Sequence, residues 1–165
     1  MWRTSPECSG RRSPLSSVQT YEVAAVVTAT ILGVDALIHL YWLTGRTWPA
    51  RDAHALSQAV LNADVPFTPR VLVPLIVVLT VGATAVLAKA SLLGGWLPDW
   101  LPGWIPTAAT VAVAVGVLLR GGAGIIWALG IGARRDTAFY WLNLTAYTPI
   151  CLILCGAATV VAAHQ

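Results

Sequence analysis

Charge is scarce in this chain: of 165 residues only 10% are Asp, Glu, Lys or Arg, against about 25% in an ordinary soluble domain. With 57% of the residues hydrophobic, a soluble globular fold is excluded and the lipid bilayer becomes the expected surrounding. Lysine is nearly absent, Lys89 standing alone beside nine arginines. Those arginines are scattered and form no basic stripe that could follow a phosphate backbone, which excludes nucleic acid as a partner. The preference for Arg over Lys, beside abundant Ala, Gly and Val, is what a high-GC bacterial genome encodes, so the expected location is a bacterial cytoplasmic membrane.

Cysteine is also sparse, and the three present form no metal-ligand spacing. Cys151 and Cys155 lie four apart on one helix face, where cysteine serves as a small apolar residue. No apolar signal region precedes Cys8, which argues against a lipid anchor there. The pair Arg11-Arg12 resembles a twin-arginine export signal. The span that follows carries Asp35 and His39 and lacks a small-residue cleavage site, so it reads as a retained first helix. There is no glycine-rich phosphate loop and no nucleophile elbow, and no motif implies a cofactor.

What the chain does have is four long apolar stretches, residues 21–43, 71–93, 105–130 and 142–162. A hydrocarbon core of roughly 30 Å needs about 20 helical residues to cross it, and each stretch is long enough. The expected fold is all-α: an integral membrane four-helix bundle, forming one domain over residues 19–165, behind a disordered polar arm at 1–18. Tyr41, Trp42 and Trp48 supply an interfacial belt on one side. Trp96, Trp100 and Trp104, set among Pro98, Pro102 and Pro106, supply an interfacial turn on the other. In the long first connection, Ala55, Leu56, Ala59, Val60 and Ala63 repeat at helical spacing, so residues 52–63 are expected to form a short amphipathic helix, lying on the membrane or capping the bundle. With Lys89 near the end of the second span counted, the cationic residues divide four against five between the two faces, and so set no orientation.

The third span carries Ala108, Ala112, Gly116 and Arg120 at spacings of four, a small-residue face that invites close helix approach. The run Gly121-Gly122-Ala123-Gly124 predicts a kink or an unwound turn beside Arg120. In the last span Asn143, Tyr147, Cys151 and Cys155 form the most polar stripe, and Pro149 removes one backbone donor.

Away from the span ends, Asp35, His39 and Arg120 carry ionisable groups in the interiors of two of these stretches. A charge at the centre of a membrane helix costs roughly 2.5–3.5 kcal/mol on insertion scales, so they are expected to face protein or trapped water. Counting from the span ends, Asp35 and Arg120 lie level, about 12–15 Å deep at 1.5 Å per residue. His39 shares a helix face with Asp35. Asp35, His39 and Arg120 are therefore candidate catalytic residues. Tyr41, Trp42, Asn143 and Tyr147 are candidate ligand-binding residues, in a pocket open toward the first and third connections with Asn143 at its mouth. Three roles fit these residue types: a buried polar clamp that sets helix register, an acid/base site in which a carboxylate tunes an imidazole, or a path for ions or protons. A metal would need a third ligand from distant His54 or His164, and none is expected.

The segments His39-Leu40-Tyr41-Trp42 followed by Gly45, then Leu119-Arg120-Gly121, then Tyr147-Thr148-Pro149-Ile150-Cys151-Leu152 ending at Gly156, resemble in order and spacing a bacterial family known as domain-of-unknown-function family 3995. The chain departs from the family pattern at Arg46, where a second glycine is usual, and in the glycine-rich stretch after Arg120. The resemblance implies a small four-helix integral membrane protein without a settled activity. The expected role is to bind a small or lipid-like hydrophobic ligand in the polar pocket. The alternatives are a membrane-embedded isomerase or cyclase of a lipid or terpenoid, and a proton-linked carrier or subunit of a membrane complex.

Overall fold

The computed structural model describes residues 14–94, 98 and 100–164, with side chains from Gln19 onward. Its elements are α1 (Pro14–Leu43), α2 (Ala53–Leu61), α3 (Pro69–Lys89), α4 (Trp104–Ala128), α5 (Ala138–Leu142), a π-helical turn (Asn143–Tyr147) and α6 (Thr148–Ala163). No strand occurs among the described residues. Among the described residues four segments are long and apolar enough to cross a membrane: Gln19–Leu43, Pro69–Lys89, Trp104–Ala128 and Ala138–Ala163. These are the helices of an integral membrane protein, and each expected stretch is matched by one of them. Helix α1 begins at Pro14, before the expected start at Tyr21, so residues 14–18 of the expected arm are helical. The rest of that arm, with Cys8 and Arg11-Arg12, lies outside the described residues, as does Trp96.

The long helices pack in a ring of neighbours, α1 on α3, α3 on α4, α4 on α6 and α6 on α1. Helices α1 and α4 are therefore diagonal to each other. At one end the ring of Tyr21 stacks on His164 with centroids 3.7 Å apart, bringing the start of α1 to the end of α6. At the other end Asn62 Nδ2 donates to Gly132 O at 3.1 Å, tying the first connection to the third. Large apolar side chains point outward along every long helix, Val78 (66% exposed), Leu119 (69%) and Ile153 (58%) among them, as expected where lipid rather than water is the solvent. Exposed tryptophans lie at both ends, Trp100 and Trp104 at one, Trp48 and Trp141 at the other. Helix α4, with 25 residues between these girdles, is about 37 Å long at 1.5 Å per residue, sufficient to cross the hydrocarbon.

The amphipathic segment of the first connection forms α2 and caps the ends of α1 and α3. Asp52 is its N-cap, accepting from Ala55 N at 2.8 Å, and Asn62 ends it in the left-handed conformation. Leu56 is buried against Trp42 and Leu72, and the Trp42 and Phe67 rings meet edge to face at 5.5 Å. Helix α1 stops where Gly45, at φ +84°, accepts a conformation costly for any side chain, with its N–H donating to Trp42 O at 3.0 Å. In the third connection Arg134 donates to Asp136 at 3.1 and 2.6 Å, and those bonds hold the Asp136 carboxyl below its ordinary range.

Two expectations about α4 need correction. The helix does not unwind at Gly121-Gly122-Ala123-Gly124; α4 runs unbroken to Ala128. With no water to compete for its backbone groups, a helix in apolar surroundings keeps its bonds through glycine. Nor does α4 use the face expected: Ala108, Ala112 and Gly116 are exposed. Its close contact with the last span runs through Gly121 and Gly124, where a Cβ on Gly121 would lie 3.3 Å from Cys151 Cβ. The irregular turn is instead in the last span. Pro149 has no N–H, and its ring opposes the carbonyl of Thr145 one turn earlier. The helix responds with a π-turn, in which Thr148 N–H bonds to Asn143 O, five residues back.

Candidate functional site

Helix α1 carries Asp35 and His39 one turn apart. His39 Nδ1 donates to the backbone carbonyl of Asp35 at 2.8 Å and lies 3.3 Å from Asp35 Oδ1. A carbonyl oxygen can only accept, so Nδ1 carries the proton and Nε2 is left as the basic nitrogen of the neutral ring. The two groups differ in access: His39 is buried, its ring edge-to-face on Trp42 with centroids 5.0 Å apart, while the Asp35 side chain is 48% exposed.

A cavity of about 600 Å³ opens beside them. Its wall is the α1 face from Val34 to Trp42, including Asp35, His39 and Tyr41; Trp48, Pro49 and Val60 of the first connection and Tyr147 of the π-turn complete it. Apart from Asp35 and His39 the lining is apolar or aromatic. A second hollow of about 340 Å³ shares Trp42, Pro49, Val60 and Tyr147 with the first and runs between α2 and α5 past Arg51. The candidates Asp35, His39, Tyr41, Trp42 and Tyr147 are thus brought together.

Arg120 and Asn143 are not part of this lining. Arg120 Nη1 donates to Asn143 Oδ1 at 3.3 Å, and Asn143 Nδ2 donates in turn to Gly124 O at 2.8 Å. The guanidinium sits over Trp127 (5.0 Å to the centroid) and Tyr147 (5.6 Å). Asn143 is fully buried, not at a pocket mouth. Among the described residues Arg120 forms no ion pair with Asp35; the pairs are His39–Asp35, His54–Asp64 and Arg134–Asp136. Counting residues from the span ends does not fix azimuth: α1 and α4 are diagonal, and the Tyr147 ring, under the Arg120 guanidinium, lines the cavity with Asp35.

Trp127 belongs to the Arg120 environment and was not anticipated, and Gly124, expected only as part of a kink, instead accepts from Asn143. Trp127 follows Arg120 by seven residues, two helical turns on the same face, and that spacing was the available signal. Trp48, Pro49 and Val60 reach the cavity only because α2 folds back over α1, which no local pattern announces. No group of three His, Cys, Asp or Glu side chains converges among the described residues. No curated protein and no solved structure matches the chain. The family described as "Protein of unknown function (DUF3995)" matches residues 32–158, from the turn of α1 before Asp35 to the middle of α6, and the chain belongs to that family.

Proposed function

We propose that this protein binds a small amphipathic, lipid-like molecule in the cavity beside α1, with the polar part of that molecule at Asp35 and its apolar part along Val34, Leu37, Ile38 and Val60. The observation that carries this reading is a half-exposed carboxylate in an otherwise apolar and aromatic cavity. A carboxylate serving only to hold helices in register would be enclosed by its partners, since an uncompensated charge is expensive in hydrocarbon. Ligand sites combine an apolar lining with a few oriented polar groups in this way. The Arg-rich, Lys-poor composition supports a bacterial cytoplasmic membrane as the setting, and the ring of four packed spans supports description as a four-helix bundle.

A photoreactive diazirine amphiphile with an alkyl tail tests the reading. Cross-links are expected to concentrate on residues 34–41 and on Val60, and Val34→Trp, which adds bulk at a half-exposed wall position, is expected to reduce that labelling at least fivefold. Labelling spread evenly over the outward faces of all four spans, and unchanged by Val34→Trp, would mean ordinary lipid contact and no site.

His39 favours a second reading, a membrane-embedded acid/base enzyme. Its Nδ1–H is committed to Asp35, leaving Nε2 to take or return a proton at a bound lipid or terpenoid. His39→Gln keeps a donor for the Asp35 carbonyl but cannot titrate. On the enzymatic reading it accumulates normally and fails to complement a deletion strain; full complementation at matched abundance removes the acid/base role and leaves binding.

A further inference from the structure

We infer that the molecule held in this cavity carries a cationic nitrogen, an alkylammonium group attached to an apolar body; this rests on the reading of the cavity as a binding site for a lipid-like molecule. The first ground is an unbalanced carboxylate. Among the described residues Asp35 is the only acidic side chain lining the cavity, and its sole side-chain partner is His39, whose single Nδ1–H is shared between the Asp35 carbonyl and Oδ1. An ionised carboxylate offers about four acceptor positions, so most of them stay open. The cation of the third span, Arg120, is engaged elsewhere by Asn143 and contacts the Tyr147 ring without lining the cavity.

The second ground is the ring content of the same wall. Tyr41, Trp42, Trp48 and Tyr147 all line it; the Tyr147 ring already holds the Arg120 guanidinium, which leaves the first three for a ligand. Aromatic faces carry negative potential and attract organic cations, most strongly when these are desolvated, and the low dielectric strengthens attraction to the carboxylate. The two features select the same charge and exclude others. An anionic headgroup would meet Asp35 unscreened, and a neutral amphiphile would leave the carboxylate without compensation. A bare metal ion would find one carboxylate and one imidazole, with no third His, Cys, Asp or Glu side chain joining them among the described residues, too few ligands for a protein metal site. An alkylammonium ion needs no ligand set and brings its own apolar shell.

The test uses the full chain in non-ionic maltoside micelles and measures protection of the cavity from the diazirine amphiphile. Three competitors share one dodecyl tail and differ at the head: trimethylammonium, its neutral tert-butyl isostere, and sulfate. The ammonium is expected to protect at a concentration at least tenfold below the neutral isostere, with the sulfate weakest. Asp35→Asn should bring the ammonium and neutral probes within twofold of each other. Trp48→Leu alters an exposed side chain on a connection and should cut the ammonium preference at least threefold at unchanged thermal stability, which keeps the test decisive even if Asp35→Asn does not accumulate. Equal protection by the ammonium and neutral probes in the unsubstituted protein overturns the cationic assignment and leaves the binding site standing. Protection by none of the three, with the cavity still labelled by the diazirine amphiphile, overturns the cationic assignment; absence of that labelling overturns the binding site itself.

Discussion

Gly124→Ala is expected to abolish accumulation of the folded protein or to lower its thermal midpoint by many degrees. A Cβ built at this position overlaps Thr148 Oγ1 and comes within 3.1 Å of Thr148 Cβ and 3.2 Å of Asn143 Oδ1. Thr148 is β-branched and buried in the first turn of α6, so its side chain has little freedom to swing away. Overpacking of this kind costs about 1–3 kcal/mol in well-packed cores, and here it also presses on the amide that holds Arg120. The contact can be isolated by a double-mutant cycle. Thr148 Oγ1 is buried with no hydrogen-bond partner among the described residues, so Thr148→Ala alone removes no bond and should be nearly neutral. In its background Gly124→Ala should recover at least about 1 kcal/mol, the scale of coupling between residues in contact. Strictly additive losses by thermal unfolding in detergent would show that α4 and the last span do not meet through this glycine.

The four spans were legible because length and apolar content suffice to identify a membrane helix, and each described span falls within a few residues of its stretch in the sequence. Helix α2 was equally readable, since Ala55, Leu56, Ala59 and Val60 sit at helical spacing behind an Asp52 cap; which surface Leu56 would bury was not, because that depends on α1 and α3. The contact face of α4 was misread for a related reason. A stripe of small residues identifies a face that could approach another helix, and Ala108, Ala112 and Gly116 form one, but the apposed residues of the last span decide which glycines are used. The π-turn adds a residue to the helical repeat between Asn143 and Thr148, so simple spacing of four from Asn143 through Tyr147 does not give their true directions: Asn143 turns inward to α4 while Tyr147 reaches the cavity. The partition of the candidate site follows from the same facts. Asp35 with His39 was a local i, i+4 relation and readable; Arg120 with Asn143 required knowing that α4 neighbours the last span and lies diagonal to α1.

Asn143→Leu is expected to destabilise the protein by about 2–4 kcal/mol, the loss of a hydrogen bond to a charged group plus the cost of leaving that charge without its partner. The substitution nearly preserves volume and suits an apolar site, so by packing alone it should be harmless. It removes the amide oxygen that accepts from Arg120 Nη1 and the amide nitrogen that donates to Gly124 O. Gly124 O belongs to the α4 backbone and retains the helix's own bonding, so the larger share falls on Arg120. That guanidinium cannot lose its proton to escape the low dielectric, and the rings of Trp127 and Tyr147 offset only about 0.5–2 kcal/mol of its burial. Removing the charge should therefore rescue the protein: Arg120→Leu combined with Asn143→Leu should be at least as stable as Asn143→Leu alone. Asp35→Asn should be mild by comparison, because that carboxylate is half-exposed and no ion pair to Arg120 is lost. The measurement is the thermal midpoint of each variant in the same detergent. An Asn143→Leu protein that unfolds with the unsubstituted chain, or a double variant weaker than both singles, would mean that Arg120 is held by something other than this amide.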